Sequence, residues 1–210
     1  MCKDIAVATR KYQQKLRADT TAQTRRRILD AVADQLREAP TQPLSLDTVA
    51  QHADVARSTI YVVFGSRAGL FDAFTADLSE RAGLAQLTAA VAVPDARAHL
   101  RGGIRAACRM FAADIRIYRV LFSMSRLDPE SVGGAVDRME ERRRGGMIYL
   151  AERLAEDGVL RDDINADQAV DLLWMLCSFD AFDLLHTGRG LSIDQAADVI
   201  ATTAERALCR

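Results

Sequence analysis

Five side chains within six positions, Arg57, Ser58, Thr59, Tyr61 and Val62, carry the clearest chemical signal in the chain. Compact groups let a backbone approach a nucleic-acid groove closely, and the hydroxyls, Arg and Tyr can bond to phosphates or base edges. Nothing along the 210 residues offers an equal case for bond-making chemistry. Cys2, Cys108, Cys177 and Cys209 are scattered, with no CxxC pair and no histidine at ligand spacing, so neither a metal nor a cofactor is expected. His52, His99 and His186 are equally dispersed and give no local nucleophile–base pair. A cysteine or metal-dependent hydrolase is therefore the alternative reading, and it requires a cluster assembled only in space. Gel-shift with the chain's own upstream DNA separates the two.

The elements around Arg57–Val62 explain how that set would be held outward. Ser45 is a good N-cap, and Leu46, Val49 and Ala50 recur at i, i+3 and i+4, which makes a short helix with one buried face. His52-Ala53-Asp54-Val55 reads as the corner, with Asp54 in the left-handed conformation and Val55 plugging the gap. A second helix over 56–63 then buries Ile60, with Val63 or Phe64 beside it, and leaves the five groove candidates outside. Such a corner offers one helix to the major groove of DNA. Charge supports this reading. Residues 1–70 carry 11 Lys/Arg against 7 Asp/Glu, whereas 71–210 carry 17 against 22, so positive charge gathers where phosphate attraction needs it. All three lysines, Lys3, Lys11 and Lys15, fall in a basic arm over 1–20, readable as a solvated tail or as a phosphate-tracking arm.

The run RRRILDAVADQLRE followed by SLDTVAQHADVARSTIYVVFGSRAGLFDAF resembles the DNA-binding domain of the TetR (tetracycline-repressor-like) transcription regulators. The matching positions include Ile28, Leu29, Ala31, Leu36, Ser45, Val49, Ala50, Val55, Thr59, Tyr61, Phe64, Ser66, Leu70 and Phe71. The chain departs from the family pattern at Asp54 (usually Gly), Ala56 (Ser or Thr), Val63 (often His or Tyr) and Arg67 (Lys). The resemblance covers roughly the first third; beyond Leu78 it rests on helix number and length. It implies a helix-turn-helix domain over 21–66 and an effector-binding and dimerisation domain over 67–210. It also implies a repressor released from its operator by a small apolar or amphipathic effector; an activator or a redox sensor of the same family is the alternative. On this reading Ser45 and Thr48, with Arg67 and either Arg25 or Arg26, serve phosphates beside the five groove residues.

The remainder reads as helix throughout, for an all-α chain of about nine helices. A long linking helix is expected over 67–87, another from the Asp95 cap through Phe111 toward Ile115, and one from Asp128-Pro129 to Asp157. Asn165–Gln168 and Ser192–Gln195 resemble capping boxes that open the last two helices. Residues 169–185 are apolar nearly all round, so the flank that their own domain leaves open is expected to meet a partner, a purely intramolecular core being the alternative. Val170, Leu173, Cys177, Phe182, Ile200 and Ala204 are the candidates for a homodimer surface. A two-fold assembly would read a near-palindromic duplex with half-sites about 34–36 Å apart.

A ligand cavity follows from the resemblance, and Met and aromatic residues suit adaptable apolar sites. The candidates are Phe111, Ile115, Tyr118 and Phe122, then Met139 and Met147, then Trp174, Met175, Phe179 and Asp180. Each can equally be core packing. Asp180 and Asp183 lie on an apolar helix and must be paired with Arg or contact a ligand. Cys108 and Cys177 read as small core residues, His52 and His99 as exposed, and His186 as a helix-terminal residue. Neither an export signal nor a run of the roughly 20 apolar residues that spans a bilayer is present, so a cytoplasmic location without membrane partners is expected.

Overall fold

Local capping sets most of the helix starts in the computed structural model, which describes residues 2–210 and side chains from Asp19 onward. In chain order the helices are α1 (Cys2–Glu38), α2 (Leu46–His52), α3 (Arg57–Phe64), α4 (Arg67–Arg81), α5 (Leu84–Val91) and α6 (Ala96–Ala113). They continue as α7 (Ile115–Leu127), α8 (Ala135–Glu156), α9 (Ala166–Leu176), α10 (Phe179–Asp183) and α11 (Ile193–Leu208). A 3-10 turn covers Pro129–Val132, and a π-helical turn covers Leu184–Gly188. No strand occurs among the described residues, only an isolated bridge between Leu160 and Cys209.

The all-α reading therefore holds, with eleven α-helices among the described residues where about nine were expected. The two extra helices come from breaks inside expected ones. Gly83, at φ 108°, ends the linking helix and starts α5. Ser178 caps Ala181 N–H and splits the long apolar helix into α9 and α10. Two starts also move. Asp128-Pro129 opens only the 3-10 turn, and the left-handed pair Gly133-Gly134 delays α8 to Ala135. Backbone helix runs from Cys2, through the segment expected to be an arm; the side chains of Lys3, Lys11 and Lys15 lie outside the described residues. Both capping boxes are formed, at Asn165/Gln168 and Ser192/Gln195.

The interior forms two clusters. One joins Ile28, Val32, Leu36, Val49, Ile60, Leu70 and Phe71 to Ile117, Leu121 and Val136, so the first four helices share a core with α7 and the start of α8. The other gathers Leu100, Ile104, Leu154, Leu173, Phe182, Ile200 and Ala204 from α6, α8, α9, α10 and α11. Phe111 packs against both. On the outside, α6 and α11 run antiparallel and are registered by ion pairs: Arg97 and Arg101 with Glu205, Arg105 with Asp198, Arg109 with Asp194. These side chains are largely solvated, so the pairs select register more than they add stability.

Candidate nucleic-acid interface and ligand cavity

Burial of one α2 face and one α3 residue fixes the direction of the groove candidates. Leu46, Val49 and Ala50 are buried, and the Ser45 hydroxyl accepts from Thr48 N–H at 3.3 Å. Ala53 closes α2, and Asp54 turns the chain at φ 51°, as expected of the corner. Val55 N–H then donates to the Ala50 carbonyl at 3.0 Å and its side chain packs against the core. Ala56 supplies no side-chain cap to α3. Ile60 is 1% exposed, while Tyr61 is 42% and Val62 84% exposed. Arg57 and Ser58 are exposed with them, and Thr59 is half-buried. The guanidinium of Arg57 lies 3.0 Å from Asp47. A hydrogen bond with the Tyr61 hydroxyl, and then the Asp47 charge, raises its pKa above the ordinary value. The outer face of α3 is thus a compact, permanently cationic and hydroxylated ridge.

The surrounding candidates divide. Ser45 is occupied as a cap and Thr48 is half-buried beside it. Arg25 lies over the Phe64 ring at 4.8 Å, and Arg26 is drawn toward Asp77 (3.1 Å) and Asp30 (3.5 Å). Arg67 corrects the expectation of a phosphate contact. Its Nε donates to the Ser131 carbonyl and its Nη1 to the Leu44 carbonyl, both at 3.0 Å, and burial lowers its pKa. It staples two loops together from inside. Arg27, which was not singled out, stands at this edge with Nη1 3.8 Å from the Asp54 carboxylate. Three consecutive arginines gave no signal of which one would face outward.

A cavity of about 670 Å³ opens between α4, α5, α6, α8 and α9. Of the pocket candidates, Phe111, Tyr118, Met139 and Met147 line it. The others do not. Phe122 and Phe179 stack at 5.3 Å within the first core cluster, and Ile115 packs against both clusters. Trp174 lies 3.8 Å beneath the Arg143 guanidinium, and Met175 is 58% exposed. Asp180 pairs with Arg126, and Asp183 with Arg119 at 2.6 Å, which holds its carboxyl below the usual range. Both aspartates are thus answered by α7 arginines.

Sequence reasoning missed the α5 wall of Leu84, Leu87 and Val91, because the expected linking helix ran over 67–87, through the Gly83 break and short of Val91. It also missed His99. Expected as exposed, this residue is 4% exposed and faces the cavity, because α8 brings Arg153 to within 3.0 Å of its Nδ1. His52 is exposed as expected, and His186 donates from Nδ1 to the Leu191 carbonyl at 2.7 Å.

The dimer candidates are corrected in the same way. Leu173, Phe182, Ile200 and Ala204 are buried in the chain's own second cluster, so a partner cannot reach them; Val170 and Cys177 are half-buried. The apolar groups exposed on these elements are Met175, Leu184 and Val199. Burial pushes the Cys108 and Cys177 thiols up to about 12, which keeps them protonated at neutral pH. No group of three His, Cys, Asp or Glu among the described residues could hold a metal ion. No helix there is long and apolar enough to cross a membrane.

Residues 28–74 match the model of a family described as bacterial regulatory proteins, tetR family. No curated protein matches the chain in sequence. Among solved structures it is similar to NalD, the secondary repressor of the MexAB-OprM multidrug efflux pump in Pseudomonas aeruginosa. The identity there is 23%, the TM-score 0.70, and the match covers 91% of this chain and 98% of that one. It is also similar to a TetR-like transcriptional regulator from Rhodococcus sp. RHA1, at 20% identity and TM-score 0.63, over 87% of this chain and 94% of the other. Residues 28–74 are a domain of the bacterial regulatory proteins of the tetR family, and the chain as a whole has the fold of these regulators.

Proposed function

We propose that this chain is a sequence-specific, DNA-binding transcriptional repressor that acts as a homodimer and leaves its operator when an apolar or amphipathic effector fills the 670 Å³ cavity. The observation that carries the reading is the outward face of α3, where Arg57, Ser58, Tyr61 and Val62 are exposed above a buried Ile60. Arg57 and neighbouring backbone groups engage phosphates, and Ser58, Thr59, Tyr61 and Val62 approach base edges. The domains divide in function near residue 66, with the reader before it and the effector and dimer unit after it. Two copies join through the outer sides of α9, the π-helical turn and α11, where Met175, Leu184 and Val199 are exposed, and so set two readers on neighbouring turns of a near-palindromic duplex.

Release requires that the effector bind the DNA-incompetent arrangement more tightly; equal affinity for both arrangements shifts nothing. α4 supplies both the cavity wall and the helix that follows the reader, through Asp72, Thr75 and Ser79. A ligand that moves α4 therefore moves α3. The test is gel-shift of a duplex from the chain's own upstream region across a salt series. Binding that weakens steeply with salt supports the proposal, and no binding to any duplex at low salt sinks it.

A further inference from the structure

The cavity wall is largely apolar; of its neutral polar side chains, Thr75, Ser79 and Thr88 donate to backbone carbonyls and Tyr149 is exposed, which leaves His99 and Tyr118 as the buried ones. α6 contributes His99, Gly103, Ile104, Ala107 and Phe111, a stripe running down one side of that helix. His99 and Phe111 are twelve residues apart, which is about 18 Å at the helical rise. Near the far end stands Tyr118, whose ring meets Phe111 edge-on at 5.3 Å.

Tyr118 is 2% exposed and its hydroxyl makes no hydrogen bond with any described residue. Among the described residues no fully enclosed side-chain oxygen or nitrogen lacks a partner, so that hydroxyl is not sealed in the core, and Tyr118 lines the cavity. Burial and then Asp114 push its pKa up to about 12, which keeps it a neutral donor. The other end is set by tautomer. Arg153 can only donate, so the Nδ1 it approaches at 3.0 Å must accept, and the ring proton sits on Nε2. Burial, then Arg153, lowers the pKa of His99, so the ring stays neutral. By the same accounting Nε2–H is not sealed in the core, and His99 lines the cavity.

Four of the six charged wall residues pair with one another. Arg138 is 2.5 Å from Asp72, and Arg143 is 2.6 Å from Glu140 while lying over Trp174. Arg142 and Glu80, of opposite sign, are exposed. An ionised ligand buried between His99 and Tyr118, away from those two exposed groups, would find no free counter-charge and would keep its desolvation cost.

Resting on the effector reading above, we infer that the ligand is an uncharged, elongated, largely apolar molecule with an oxygen acceptor at each end, one taking the His99 Nε2–H and the other the Tyr118 hydroxyl.

Calorimetric titration of the DNA-free protein with three probes of one chain length tests this: dimethyl dodecanedioate, dodecanedioate and 1,12-diaminododecane. The diester is expected to bind at least about tenfold more tightly than either ion. Tyr118→Phe and His99→Leu, each checked by thermal melting, should each weaken it about three- to tenfold, the loss of one net hydrogen bond. Tighter binding of the dianion or the diamine, or unchanged diester affinity in folded Tyr118→Phe, overturns the ligand class alone. Failure of all three probes, in protein that still shifts its DNA, removes the cavity as a ligand site and with it the effector half of the proposed function.

Discussion

Arg138 on α8 reaches across to Asp72 on α4, with Nη2 2.5 Å from Oδ1, and the same nitrogen donates to the Gly133 carbonyl at 2.9 Å. Both residues line the cavity, so this pair ties a ligand-facing wall to the helix that follows the reader. The pair is about half exposed and contributes little to stability. Replacing Arg138 with Ala is expected to change stability by less than about 1 kcal/mol. The same change should raise several-fold the ligand concentration that releases DNA. Thermal melting and ligand-titrated gel-shift check the two halves separately.

The two faces of α3 should respond oppositely to truncation. Ile60→Ala empties a packed site and is expected to cost about 2–5 kcal/mol, abolishing DNA binding through loss of the domain. Val62→Ala, at a site 84% exposed, should stay within about 0.5 kcal/mol of the parent while altering which duplexes bind. Denaturant melts with a panel of sequences distinguish them.

At the corner, Asp54 holds φ 51°, a conformation that costs a side chain with a Cβ and costs glycine nothing. Its solvated pairing with Arg27, at 3.8 Å, returns little. Asp54→Gly is therefore expected to raise unfolding stability by no more than about 1 kcal/mol, the steric gain less glycine's larger chain entropy, read as a shift in denaturant midpoint. A lower midpoint would show that the carboxylate matters more than the backbone.

Acid should loosen the fold through His99. Its folded pKa lies below the ordinary 6.5, because of burial and then Arg153. The unfolded chain thus binds the proton first, so this contribution is complete above pH 6.5 and is lost as pH falls toward the folded pKa. His99→Gln is expected to flatten the fall of melting temperature between about pH 7 and 5. An unchanged slope would assign the acid sensitivity to other groups, such as Asp183 and Glu205, whose Arg-lowered pKa values act further into acid.

How much of this the sequence disclosed follows from how local each cause is. The Ser45 cap, the Asp54 turn and both capping boxes depend on residues within one turn, and all were legible. Ile60 was legible as the buried residue of α3 because spacing alone assigns its face. Direction in the larger unit depends on partners far along the chain. His99 is covered by Arg153 from α8, and Arg67 is turned inward by carbonyls at 44 and 131. Hydropathy marked residues 169–185 as apolar without telling that Leu173 and Phe182 face inward while Met175 and Leu184 face out.

The most direct measurement is the salt dependence of duplex binding by the parent chain and by Arg57→Ala. The account expects the parent to lose affinity linearly in log salt, and the variant to bind more weakly at every salt with a slope reduced by about one. Identical affinity and slope in a variant that melts like the parent would mean that the outward face of α3 does not meet DNA, and would contradict it.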